Sequence, residues 1–251
     1  MPVRVFKSSD VRRIERAAPS GAGAPRANHI SSGAPPSPAA RVVEEAAPGV
    51  RKVLNAGSGA LAPHRLHAVF RNAAWAQITL DVEPRHKPDI VCSIINMRSF
   101  VETASIDAIW SSHNIEHLHA HEVPVALAEF ARVLKPNGFA LIRCPNLDAV
   151  ARKLLADGLD SVAYVSPAGP ITPLDMIYGH TGAIARGDGY MRHHSGFTLT
   201  TLAKHLMSAG FETVHMLESP DFDLWALALK SAWPAQGLLD ELALHGQRFE
   251  S

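Results

Sequence analysis

The chain has 251 residues, enough for one α/β domain with a well-buried core or for two small ones. Lysine plus arginine and aspartate plus glutamate number 24 each, a balance without the basic excess that a non-specific hold on nucleic acid or an anionic membrane requires, so a small-molecule substrate is the simpler expectation. No run reaches the roughly 18 apolar residues of a membrane span and no apolar leader opens the chain; Cys92 and Cys144 lie far apart in apolar runs, so a cytoplasmic enzyme with reduced core thiols is expected.

Residues 1–40 are rich in Ala, Pro, Ser, Gly and Arg without apolar periodicity, which predicts a flexible tail with at most a short helix near Asp10–Ala17. From Arg41 to residue 251 the text reads as one domain. A short helix over 41–47 stops at Pro48 and Gly49, and Val53–Asn55 is a buried strand entering a glycine turn. Further strands are expected at Ile78–Leu80, Ile90–Cys92, Ala108–Trp110 and Phe139–Arg143. Between the last two, Val123–Leu134 has a helical apolar face of Val125, Phe130, Val133 and Leu134, ended by Pro136, Asn137 and Gly138. A helix at Leu147–Ala156 precedes a Gly- and Pro-rich segment, 158–196, too long for a plain connection and therefore expected to be a lid. The helix Leu199–Ser208 and two strands, Thr213–Leu217 and Leu224–Leu229, close the pattern, and two strands with no helix between them are antiparallel. Alternating strands and helices predict a mostly parallel sheet covered on both faces.

The strand ending at Asn55 runs into Ala56, Gly57, Ser58 and Gly59, a turn where two residues without Cβ let a ligand approach the backbone. Asp81 follows the next predicted strand at the separation where a carboxylate takes both hydroxyls of a ribose. The same features suit a dinucleotide, since Gly57, Gly59 and Ala62 satisfy its fingerprint spacing, so the turn alone does not choose a cofactor.

Three later stretches choose between them: IDAIWSSHNIEHL at 106–118, EFARVLKPNGFALIRCPN at 129–146 and FTLTTLAKHLMSAGF at 197–211. In order and content they resemble the fourth strand, the fifth strand with its preceding helix, and the late helix of class I S-adenosylmethionine-dependent methyltransferases that act on small molecules. The resemblance runs through most of 53–230. It implies a Rossmann-like seven-stranded sheet with an antiparallel last strand, helices on both faces, and S-adenosylmethionine as cofactor. By position it implies that Asn55, Ala56, Gly57, Ser58 and Gly59 face the methionine part, Asp81 and Val82 the ribose and adenine edge, and Ser93 and Ile94 the adenine, with Ser112 and His113 near the transferred methyl. Three residues depart from the family pattern. Asn55 stands where an acid is usual, Leu61 replaces a frequent glycine, and Ser93 replaces a frequent acid.

Of the histidines, His113, Glu116 and His117 also fit the spacing of one class of zinc peptidase, but no third ligand stands out and no metal is expected. The lid carries Tyr178, His180, Arg186, Arg192, His193 and His194. A loop there overhangs the carboxyl ends of the strands, which makes Tyr178, His180, His193 and His194 candidate substrate contacts. Transfer to a hydroxyl or an acidic carbon needs a base, for which His113 and His194 are the candidates. The expected activity is methyl transfer to a small molecule, lipid precursor or sugar-like acceptor. The alternatives are a silent methyltransferase fold used for binding and an NAD-dependent oxidoreductase.

Overall fold

The computed structural model describes residues 3–7, 10, 49–60, 62–231 and 236–249. Its centre is an eight-stranded sheet built from β1 (Val3–Lys7), β2 (Arg51–Ala56), β3 (Trp75–Asp81), β4 (Ile90–Val91), β5 (Ile106–Ser112), β6 (Leu134–Pro145), β9 (Thr213–Glu218) and β10 (Asp223–Leu229). A separate hairpin, β7 (Tyr164–Ser166) with β8 (Gly169–Ile171), lies in the lid. The order across the large sheet is β1-β9-β10-β6-β5-β2-β3-β4. Strands β4, β3, β2, β5 and β6 pair in parallel, and β10 runs antiparallel between β6 and β9. This is the expected sheet plus one strand.

The additional strand is β1, which pairs antiparallel with β9 from Val3 opposite Leu217 to Lys7 opposite Thr213. It lies in the segment expected to be a flexible tail. Val3, Val5 and Phe6 make a five-residue strand that the surrounding composition hides, and its order comes from the free edge of β9 rather than from its own pattern. The rest of the expected tail apart from Asp10, and the helix expected over 41–47, fall outside the described residues.

Burial on both faces explains the near-continuous apolar strands. Along β10, Leu224, Ala226 and Ala228 join one core while Trp225, Leu227 and Leu229 join the other, and Val53 and Leu54 of β2 divide in the same way. The first core is covered by α1 (Val123–Val133) and α5 (Leu199–Ser208), through Ala126, Leu127 and Phe130 of the former and Leu202, Ala203 and Leu206 of the latter. Val125, placed on the apolar face by sequence, is 49% exposed instead, because Val123, Leu127 and Phe130 set the buried face nearly half a turn away. Helix α1 ends at Val133, since Leu134 has extended dihedrals and already begins β6.

The second core is aromatic: Phe70, Trp75, Trp110, Phe139 and Trp225, closed by Leu238 and Leu242 of α6 (Gln236–Leu244) and by Phe249. Between β2 and β3 the described residues form two 3-10 turns, Pro63–Arg65 and Ala68–Phe70, rather than a long helix. Helix α2 (Leu147–Asp157) is capped by Asn146, whose Oδ1 accepts from the amides of Asp148 and Ala149. The lid is an ordered unit rather than a bare loop. The hairpin, α3 (Pro173–Tyr178) and α4 (Thr181–Ala185) pack Ile171 and Met176 onto Val150 of α2.

Candidate active site

In this sheet the direction of winding reverses between β2 and β5, and the loops after their carboxyl ends diverge to leave a crevice. A cavity of about 670 Å³ opens there, floored by Asn55, Leu80 and Trp110 and roofed by the lid residues Asp188–Met191 and His194.

The glycine turn forms one wall. Gly57 and Gly59 have φ of +73° and +61°, in the left-handed region that other residues rarely adopt. The amides of Gly57 and Ser58 both donate to the Leu80 carbonyl, at 2.8 and 3.0 Å, which pins the turn to β3. The Gly59 amide donates to Asp81 Oδ2 at 2.7 Å. Asp81 Oδ1 accepts from the Glu83 amide at 2.9 Å, and His86 Nδ1 stands 3.3 Å from it. A carboxylate offers about four lone-pair directions, so Asp81, at the cavity edge, keeps capacity for a further donor.

The cavity brings together Asn55, Gly57, Ser58, Gly59, Asp81, Val82, Ser93, Ile94, Ser112, His113 and His194. Ala56 does not line it. That residue is fully buried in the first core, with its carbonyl accepting from Asn114 Nδ2 at 3.3 Å. Leu61 falls outside the described residues. Of the other departures, Asn55 faces the cavity while 4% exposed, and Ser93 lines it without a charge.

An acid does stand nearby. Glu83, two positions after Asp81, lines the same cavity, and its hydrogen bonds from Arg85, 2.6 Å from Nη2 and 3.0 Å from the amide, hold its carboxyl down at about 2. Sequence reasoning passed over Glu83, although the two-residue step from Asp81 was a usable signal. It also passed over Arg65 and Asn114, for which no local pattern exists. A Cβ added at Gly59 would lie 2.4 Å from Arg65 Nη1, and one added at Gly57 would lie 2.4 Å from Asn114 Cγ, so these two side chains overlie the turn.

On the opposite wall His113 follows β5 with φ of +48°, and its amide donates to the Arg143 carbonyl at 2.8 Å. This backbone kink carries its imidazole between two carboxylates: Nδ1 is 3.3 Å from Glu116 Oε1, and Nε2 is 3.4 Å from Asp223 Oδ1. Arg143 Nε donates to Asp223 Oδ2 at 2.7 Å. Desolvation opposes a charge on His113, but Glu116 and then Asp223 outweigh it and raise the imidazole pKa. The four side chains form a group with two positive and two negative charges when all are ionised.

The zinc-peptidase geometry is absent from this segment. That arrangement needs both histidines on one helical face, whereas His113 is in a left-handed kink and Ile115–His117 is a single 3-10 turn. The lid candidates also separate. Tyr178 is 61% exposed, and His180 caps α4 by accepting from the Ala183 amide at 3.1 Å; neither lines the cavity. His193 does not line the cavity itself, but its ring packs against that of His117, which does. Adjacent in the chain, the two rings meet different neighbours, His117 for His193 and His119 for His194.

A family model described as a methyltransferase domain matches residues 60–142. The chain is similar in structure to a Burkholderia thailandensis 1,6-didemethyltoxoflavin-N1-methyltransferase solved with 1,6-didemethyltoxoflavin and S-adenosylhomocysteine, at 18% identity over 72% of each chain and a TM-score of 0.46. It is similar also to a SAM-dependent methyltransferase from Archaeoglobus fulgidus, at 15% identity over 72% of this chain and 87% of that one, TM-score 0.47. A third likeness is to a putative S-adenosylmethionine-dependent methyltransferase from Listeria monocytogenes, at 16% identity over 72% and 90%, TM-score 0.47. No curated protein matches the sequence. Residues 60–142 thus match a methyltransferase-domain model, and they lie in a mostly parallel sheet whose winding reverses at the cavity.

Proposed function

We propose that the cavity binds S-adenosylmethionine along the Gly57–Gly59 turn and Asp81, and that the chain transfers its methyl group to a small-molecule acceptor held under the lid. The observation that carries this reading is the Gly59–Asp81 hydrogen bond, which sets a glycine cradle and a carboxylate with spare acceptor capacity side by side at the switch point of the sheet. The lining fits a nucleoside by its chemistry: Asp81 offers a carboxylate for a diol, and Ser93 with Ile94 offers a polar and an apolar edge for a base.

When bound, this cofactor supplies a methyl group on a sulfonium, which passes to the acceptor as the thioether is left behind. The protein's own work is alignment and exclusion of water. Asp81 would accept hydrogen bonds from the ribose hydroxyls, Ser93 and Ile94 would flank the base, and Arg65 would offer a cation to the methionyl carboxylate; all four line the cavity. Residues Asp188–Met191, which line the same cavity, would cover the acceptor. Held between two carboxylates, His113 is stabilised as an imidazolium, which donates hydrogen bonds but takes no proton. It is therefore better suited to orienting than to acting as base. His194, on the cavity wall with its ring against that of His119, is the candidate to take the proton that the acceptor loses.

The acceptor that this reading implies is a small molecule with a polar nucleophile. The balanced charge and the absence, among the described residues, of a helix long and apolar enough to cross a membrane are in keeping with it. A cytoplasmic setting suits the two free thiols. Calorimetric titration with S-adenosylmethionine, S-adenosylhomocysteine and NAD tests the reading. Binding of the first two supports it, no binding points to a silent fold, and NAD alone points to an oxidoreductase.

A further inference from the structure

The strongest unexplained feature is Glu116. Its side chain is 1% exposed, yet neither carboxylate oxygen accepts a hydrogen bond, although His113 Nδ1 stands 3.3 Å from Oε1. The ion pair with His113 thus leaves a buried carboxylate without a well-formed hydrogen bond at either oxygen, which is costly and leaves it able to hold a further cation. Two further imidazoles surround it. One ligand atom from each of Glu116, His117 and His193 lies within 4.8 Å of the others, a span that a cation about 2.0–2.2 Å from each ligand bridges after small side-chain rotations.

Both histidines are oriented for ligation by the backbone. His117 Nδ1 lies 2.9 Å from the Arg192 carbonyl, and His193 Nδ1 lies 2.9 Å from the Met176 carbonyl. A carbonyl only accepts, so each Nδ1 carries the proton and each Nε2 keeps a bare lone pair. Metal-binding histidines are commonly held by a hydrogen bond from the second ring nitrogen of this kind. The backbone reinforces the meeting. The amides of His194 and Ser195 donate to the Glu116 carbonyl at 2.9 and 3.1 Å, and Ser195 Oγ donates to the Ile115 carbonyl at 3.3 Å.

We propose that Glu116, His117 and His193 form a divalent-metal site of the zinc type, fastening the end of the lid to the turn after β5. Two imidazoles and one carboxylate suit zinc, and the imidazole share disfavours magnesium and calcium. His117 also lines the large cavity, so the site adjoins the acceptor region without using the glycine turn or Asp81. The proposal stands apart from the methyl-transfer reading, and either can fail alone.

Equilibrium dialysis of the full chain, purified without a histidine tag, against zinc sulfate is the test, with magnesium chloride as comparator. The expected result is one tightly held zinc per chain, with affinity falling more than tenfold in Glu116→Gln and in His193→Ala. The double variant His119→Ala/His121→Ala removes a stacked surface pair that would otherwise compete, and should keep the site. Glu116→Gln preserves shape in the core. His193→Ala changes a lid position, so one variant remains informative if the other fails to fold. Uptake by the wild type no greater than by both single variants, loss in the double variant instead, or preference for magnesium would each overturn the proposal. Zinc should also slow proteolytic cleavage within 158–196 of the wild type but not of His193→Ala.

Discussion

The Gly59 amide donates to Asp81 Oδ2 at 2.7 Å, joining the turn after β2 to the end of β3 across 22 residues of sequence. The bond fixes the carboxylate and the turn relative to each other at the cavity edge. Asp81→Asn keeps the shape and removes the charge, so S-adenosylhomocysteine should bind roughly 10- to 100-fold more weakly, the scale of about 1.5–3 kcal/mol for a hydrogen bond to a charged group. Calorimetry reads the change directly, and unchanged affinity would remove Asp81 from the site.

Gly57→Ala places a Cβ 2.4 Å from Asn114 Cγ and forces alanine to φ of +73°. The backbone strain alone costs about 1–2 kcal/mol. The variant should melt at a lower temperature and lose more than tenfold in cofactor affinity. Gly210→Ala serves as control: it has φ of +99° and nothing within 4 Å of its Cβ, so it should lose stability without losing affinity.

His67 is a pH-sensitive element of the aromatic core. It packs against Trp110 and Trp225, its Nε2 lies 2.8 Å from Gln247 Oε1, and its Nδ1 accepts from the Val69 amide. Burial, the largest influence, lowers its pKa to about 4, against a bond from Gln247 that raises it. Because the folded pKa lies below the unfolded value of 6.5, this contribution is fully present above pH 6.5 and is lost as pH falls toward 4. The loss amounts to on the order of 3 kcal/mol. Urea melts of the wild type between pH 7 and 4 should show it, and His67→Phe should flatten the slope in that window.

Asp175 holds the lid together. Oδ2 accepts from the amide and hydroxyl of Thr172, and Oδ1 accepts from the amide and hydroxyl of Thr181, so one carboxylate joins the starts of α3 and α4. Burial raises its pKa, but these bonds outweigh it and bring the value to about 2. Asp175→Ala should destabilise the lid by about 1–2 kcal/mol, the usual cost of a lost helix cap. Limited proteolysis should then cut within 158–196 far faster, while the melting of the sheet core changes little.

The order of strands and helices from β2 onward was legible because each carries its own period and its own stops. The helix Leu199–Ser208 matches its expected bounds, since Thr198 and Thr201 cap it reciprocally and Gly210 follows it. The antiparallel β9–β10 pair was legible because no helix separates the two strands. β1 was not, because five residues at a sheet edge are ordered by their neighbour. The α6 cap on the second core was missed for a similar reason: Leu238 and Leu242 show a purpose only once Trp110 and Trp225 lie beneath them.

The sequence by itself determined the α/β architecture, the glycine turn, Asp81 and the family resemblance, because these depend on local conformation and on spacing along the chain. The tertiary structure decided the rest of the site. It set Glu83 and Arg65 beside the turn, locked His113 between Glu116 and Asp223, and drew His193 to Glu116 and His117 while leaving Tyr178 and His180 outside the cavity. Those relationships depend on how the lid crosses the strand ends, and distance through space between such remote segments has no period for a sequence to display.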